Sequence, residues 1–261
     1  MSEPPSILYS LADGVGTISF NRPHRHNALD TAASELFESL MDKAREDPEV
    51  RVILLRGEGP SFCSGRDLAA LGKRPPGVSD FAHLSKSLRR KFATMDIQKP
   101  IIAAVHGHAI GGGFETALAC DIRVVAEDAK LSLPEIKWGI MTDSGGSVVT
   151  TALAGPGRAK YLLMTGDVIS GREAHEWGLA DFVTTADKVH EKALEIALKI
   201  AAQPPMHVAV AKQLVNSIYG EMVRYGLRQE MTALTMLYRT EDYQEARAAA
   251  REKRKPTYKG I

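Results

Sequence analysis

Ile101-Ile102-Ala103-Ala104-Val105-His106-Gly107-His108-Ala109-Ile110-Gly111-Gly112-Gly113-Phe114-Glu115 is the stretch on which the reading of this chain turns. The apolar run Ile101 to Val105 predicts a buried strand, the glycines after it a tight connection, and the residues on to Cys120 a helix. A helix N-terminus carries unpaired N–H groups and a partial positive charge, and glycine lets a ligand approach them closely. Such a place suits negative charge. A dinucleotide pyrophosphate fits it poorly, because the loop does not read G-x-G-x-x-G and Glu115 in the first helical turn repels a phosphate. No G-x-x-x-x-G-K-[ST] loop for a nucleoside triphosphate is present either. An oxyanion that forms transiently beside an acid or base fits better. The plainer reading, glycines that only let a strand turn tightly into a helix, stays open at this point.

Working outward, Ile7 to Leu11 and Val15 to Phe20 flank Asp13-Gly14 and predict an opening hairpin. Asp30 reads as the N-cap of a helix to about Ala44, and Val52 to Leu55 as a short buried strand. A Gly/Pro-containing stretch from Gly72 to Gly77 leads into a helix expected over Phe81 to Met95. Ile122 to Val125 and Leu131 to Leu133 read as further strands, after which the pattern turns mostly helical. Beyond Ala201 no strand is expected: Val208, Ala211, Leu214 and Val215 fit one helix, and Val223, Leu227, Met231, Leu234 and Tyr238 fit another. The chain therefore divides into a core, residues 1–200, and a helical C-terminal region, residues 201–261.

Three acids stand out against this frame. Glu115 follows the glycines, Glu135 follows an apolar run and Pro134, and Asp143 lies in Thr142-Asp143-Ser144-Gly145-Gly146. Partial burial raises a carboxylate's pKa, and mutual repulsion keeps one acid protonated beside an ionised neighbour, the division that general acid and base work needs. The plainer alternatives are a helix cap or ion pair for Glu135 and a turn or cap residue for Asp143. Cys63 or Ser64 as a covalent nucleophile is a competing idea, but no G-x-S-x-G elbow surrounds either.

The 261 residues, 44% hydrophobic and 25% charged, can bury a full core, which excludes disordered and fibrous classes. With 33 Lys and Arg against 32 Asp and Glu, the net charge is +1 and no global field recruits nucleic acid or an anionic membrane. Two distant cysteines match no zinc spacing, and the N-terminus lacks a signal-peptide pattern, so a cytoplasmic protein is expected. No run is long enough to span a bilayer.

Taken in order, Asn21-Arg22-Pro23 with Asn27-Ala28-Leu29, Phe62-Cys63-Ser64-Gly65-Arg66-Asp67-Leu68, Gly111-Gly112-Gly113-Phe114-Glu115 with Cys120-Asp121-Ile122-Arg123, Pro134-Glu135 with Gly139, and Glu252-Lys253-Arg254 resemble the crotonase (enoyl-CoA hydratase/isomerase) superfamily. The pieces cover nearly the whole chain. The resemblance implies an α/β fold, a crotonase-like spiral of β-β-α units in two sheets, with C-terminal helices used to assemble homotrimers or hexamers. It implies an acyl-CoA substrate, with coenzyme A as part of that substrate and no metal or redox cofactor. By the same resemblance, the backbone N–H groups of Arg66 and Gly112 form an oxyanion hole, Glu115 and Glu135 are the catalytic pair of a hydratase, and His24, Arg25, His26, Arg66 and Lys253 contact CoA. Asp143 departs from simple hydratases, which carry glycine there. It resembles dienoyl-CoA isomerases and the carnitine-pathway hydratase, so isomerisation and a cationic acyl group stand as alternatives, with thioester hydrolysis a third. Dienoyl isomerases, however, carry aspartate where Glu115 stands.

Overall fold

The computed structural model describes residues 4–67, 77–79, 82, 85, 88 and 95–261. The opening hairpin forms as read: β1 (Ile7–Ala12) and β2 (Val15–Phe20) pair antiparallel across Asp13 and Gly14, whose φ values of 51° and 76° suit a tight two-residue turn. Asp30 caps α1 (Thr31–Glu46) by accepting the Ala33 N–H at 2.8 Å. The helix expected over Phe81 to Met95, and the stretch from Gly72 that precedes it, fall almost wholly outside the described residues.

Two sheets organise the chain. The first runs β1-β2-β3-β4-β6-β9, where β3 (Val52–Gly57), β4 (Ile101–Val105), β6 (Ile122–Ala126) and β9 (Phe182–Thr184) continue β2 in parallel. The second joins β5 (His108–Ile110), β7 (Lys130–Ser132) and β8 (Val168–Ser170). Strands β4 to β7 therefore alternate between the sheets: β4 then β5 precede α2 (Gly112–Leu118), and β6 then β7 precede α3 (Gly146–Thr165). Such recurring β-β-α units are those of the crotonase fold.

The centre of the first sheet, β3 and β4, is buried on both faces, as its unbroken apolar strands require. Ile53, Leu55, Ile102 and Val105 are at most 2% exposed, and Ala193 and Ala197 of α5 (Val189–Ala201) pack over them. Each such Leu or Ile stabilises the fold by about 2 kcal/mol.

One expectation is extended and another corrected. Beyond Leu133 the chain is mostly helical, as expected, and adds two short strands, β8 and β9, which flank α4 (Gly171–Glu176). Three residues are too few to express a period, so neither strand was visible in the sequence pattern. The two helices expected after Ala201 are one, α6 (Pro205–Leu237), followed by α7 (Glu241–Glu252). The two apolar sets differ because the first half of α6 has no buried residue, whereas Gly220, Val223, Leu227, Glu230, Met231 and Leu234 of the second half are buried. Val223 and Leu227 join the main core cluster. Among the described residues, no helix is long and apolar enough to cross a membrane.

Candidate active site

β5 ends at Ile110, and Gly111, whose φ of 53° favours glycine, turns the chain at once into α2. The loop is tight because Gly113 lies against the strand-like segment at Cys63: a Cβ there would stand 2.0 Å from the Cys63 carbonyl oxygen. Cys63 pairs with Ala109 on one side, and Arg66 with Leu29 on the other. In that second bridge the Leu29 N–H reaches the Gly65 oxygen at 2.8 Å and the Asp67 N–H reaches the Leu29 oxygen at 2.9 Å. A parallel bridge of this form turns Arg66's own N–H away from Leu29, toward the side of the glycine loop. Gly112 opens α2, where the first N–H groups lack helical partners. The space beside Gly65 confirms the proximity, since a Cβ there would lie 3.1 Å from the Gly112 nitrogen.

Glu115 is 2% exposed. Its Oε1 accepts the N–H groups of Ser144 and Gly146, at 2.7 and 3.0 Å. Glu135 opens a 3₁₀ turn, Glu135–Trp138, directly after Pro134, and its Oε1 lies 2.8 Å from where a Gly111 Cβ would be. Among the described residues, its buried Oε2 has no hydrogen-bond partner. Burial, then the nearby charges of Asp143 and Glu230, push the Glu135 carboxyl up to about 7, with a bond from its own backbone opposing them. Asp143 accepts the Ser144 hydroxyl at 3.0 Å, while Gly145, not Asp143, is the N-cap of α3.

Arg25, Arg66, Gly112, Glu115, Glu135 and Asp143 all line one cavity of about 2000 Å³. His24, His26 and Lys253 do not line it. His26 Nδ1 instead lies 2.9 Å from the Ser61 hydroxyl, and Lys253 is the exposed left-handed C-cap of α7. Asn27, quoted above only as a motif residue, is a buried brace: its Nδ2 donates to the carbonyls of Ser61 at 2.6 Å and Glu58 at 3.0 Å. For Cys63 the covalent-nucleophile idea fails on burial, whereas Ser64 is half-buried, lines the cavity and donates its hydroxyl to the Arg25 oxygen at 3.3 Å. Cys63 is fully buried, its thiol is pushed up to about 12, and its Sγ donates to the Asn27 oxygen at 3.2 Å.

The arrangement offers two backbone donors, a hydrogen-bonded carboxylate and an acid raised toward neutrality. The enoyl-CoA hydratase/isomerase family model matches residues 10–261. The chain belongs to this family, within the crotonase superfamily. It is similar to the carnitinyl-CoA dehydratase of Proteus mirabilis, 34% identical over 98% of this chain and 98% of that one. Among solved structures, carnitinyl-CoA hydratase from Mycobacterium avium aligns with a TM-score of 0.88 at 30% identity, covering 99% of this chain and 100% of that one. Enoyl-CoA hydratase from Bacillus anthracis aligns at 0.75 and 36% identity, covering 98% and 100%. Membership in the enoyl-CoA hydratase/isomerase family implies an acyl-CoA substrate and a lyase-type enzyme.

Proposed function

We propose that this enzyme is an enoyl-CoA hydratase, adding water across the α,β double bond of an acyl-CoA thioester. The observation that carries the reading is the contrast between the acids beside Gly111 and Gly112: Glu115 accepts two N–H groups, and Glu135 is raised to about 7 with an unpaired oxygen. Two backbone donors on one oxygen suit an anion, and an acid poised near neutrality suits a proton donor. The thioester oxygen accepts from the N–H groups of Arg66 and Gly112. Loss of one such donor costs about 3 kcal/mol of barrier. Glu115 takes a proton from water as its oxygen bonds the β-carbon, the double-bond electrons move toward the thioester oxygen, and neutral Glu135 protonates the α-carbon. Proton return from Glu115 to Glu135 through solvent closes the cycle. Arg25 and Arg66 are the cations proposed to meet the CoA phosphates, a role supported by their both lining the cavity.

Asp143 favours a second reading of the acyl end. A carboxylate in a cavity that Trp138 and Tyr238 also line suits a cationic acyl group, as carnitinyl is, and the same steps run backwards remove water from it. Assembly as a trimer or hexamer is also proposed, supported by exposed apolar residues along α6 such as Met206 at 77% and Ile218 at 82%.

Purified protein incubated with crotonyl-CoA, a dienoyl-CoA and carnitinyl-CoA, followed by enoyl absorbance, free thiol and product mass, tests both readings. Water addition to crotonyl-CoA that drops by roughly 10² to 10⁴-fold in Glu115→Gln and in Glu135→Gln is the expected result. Thiol release, or dienoyl isomerisation without a water adduct, overturns the hydratase reading. Turnover of carnitinyl-CoA that exceeds crotonyl-CoA hydration, and is selectively lost in Asp143→Asn, selects the cationic substrate.

A further inference from the structure

Glu230 took no part in the sequence argument, yet it is a carboxylate 6% exposed in the second half of α6. Its hydrogen bonds all come from one short segment, the loop that carries Asp143 and opens α3. Thr142 donates its hydroxyl at 3.0 Å, Gly145 and Ser147 donate their N–H groups at 2.8 Å each, and the Ser147 hydroxyl donates as well. Glu115 holds the same segment through the N–H groups of Ser144 and Gly146. Four consecutive N–H groups, residues 144–147, thus go alternately to Glu115 and to Glu230.

The alternation has a physical reason. The first N–H groups of α3 have no helical acceptor, and Gly145 and Gly146 have no side chains to supply one. One carboxylate cannot reach donors that point to both sides of the chain, so two elements, α2 and α6, supply one each. Both buried carboxylates face the N-terminus of α3, whose partial positive charge favours an anion there. The consequence concerns reactivity, since the segment held by Glu230 is also what fixes the Glu115 carboxylate and carries Asp143.

We infer that Glu230 is a positioning residue for the reaction: it sets the 142–147 segment, and through that segment the aim of Glu115 and the place of Asp143. This rests on the hydratase reading for its kinetic consequence but not for its structural one. Among the described residues, Glu115 from α2, Glu135 from the 3₁₀ turn, Asp143 from the segment itself and Glu230 from α6 are charged groups that face the segment.

Glu230→Gln keeps the shape but turns an NH₂ toward a backbone donor, and it removes a negative charge that acts on Glu135. Glu230→Asp keeps the charge and shortens the reach. Thr142→Val removes one donor and leaves the carboxylate, so it serves if the first two fold poorly. Backbone amide exchange of the ligand-free proteins is compared at Ser144 and Gly146, whose N–H groups bond Glu115 rather than Glu230, with the β4 amides as the control for global opening. Steady-state kinetics on crotonyl-CoA are taken across pH.

Faster exchange at Ser144 and Gly146 with β4 unchanged is expected in Glu230→Gln and Glu230→Asp. With it go a kcat lower by roughly 10 to 100-fold and a KM within about threefold, as for a misplaced catalytic group. The alkaline limb of the rate should move to lower pH in Glu230→Gln only. Unchanged exchange at Ser144 and Gly146, or full kcat and an unmoved limb in a variant that merely melts earlier, overturns the inference. If the wild type itself does not hydrate crotonyl-CoA, the hydratase reading falls while the amide result still decides the positioning.

Discussion

The start of α2 and the 3₁₀ turn at Glu135 each deliver one carboxylate to the same cavity, and they hold them in opposite ways. Glu115 is fixed by N–H groups from a different element, so its burial is offset by hydrogen bonds. Glu135 rests against Gly111 with a buried oxygen that nothing answers, and two more acids nearby. Burial alone therefore does not determine what a carboxylate does. The donors that meet it decide whether it is held as a structural acceptor or left as a strained acid, and the proposed hydratase chemistry would use one of each.

The sharpest break in this comparison is a pair of stability measurements with opposite signs. Glu115→Ala leaves two N–H groups without their acceptor and opens a cavity in the core, for a loss of about 3 to 5 kcal/mol in denaturant unfolding. Glu135→Gln goes the other way. The raised folded pKa of Glu135 means that its contribution to stability is fully present below about 4.5 and is lost as pH rises to about 7. The neutral, isosteric glutamine does not suffer that loss. Glu135→Gln should accordingly match the wild type near pH 4 and exceed it by up to about 3 kcal/mol above pH 7, at ~1.4 kcal/mol per pH unit. Equal melting of the two proteins at pH 8 would show that Glu135 is not a strained acid.

A kinetic counterpart sharpens the same contrast. With neutral Glu135 as the proton donor, kcat/KM for hydration should fall with rising pH through an apparent pKa near 7, by about tenfold per unit above it. A hydration rate flat from pH 6 to 9 would move the proton-donor role elsewhere.

How far these two regions could be read from sequence also differs. The strand, glycines and Glu115 were legible because everything that shapes them is local: an apolar run, a positive-φ glycine and a close contact at Gly113. The Asp13-Gly14 hairpin and the Asp30 cap were legible for the same reason. Glu135 could be named but not characterised, since its state depends on Asp143 and on Glu230, nearly a hundred positions further along the chain. Glu230 itself sits in a helix of mixed polarity and gives no local sign that its carboxylate is buried. Only the packing of α6 on the 142–147 segment reveals it. The placement of His26 against Ser61 is likewise a tertiary fact, invisible in His24-Arg25-His26.

The smallest expected effect tests the ranking of causes at Glu135. Asp143 is partly exposed, so its field at Glu135 is partly screened by solvent, and burial stands ahead of it as the cause of the raised pKa. Asp143→Asn should therefore move the alkaline limb of crotonyl-CoA hydration downward by less than about one pH unit, and less still at high salt. A shift of two units, independent of salt, would make neighbouring charge rather than burial the source of the acid's strength. The pair Glu135 and Asp143 would then share one proton, and the contrast with Glu115 would lie between a lone carboxylate and a dyad.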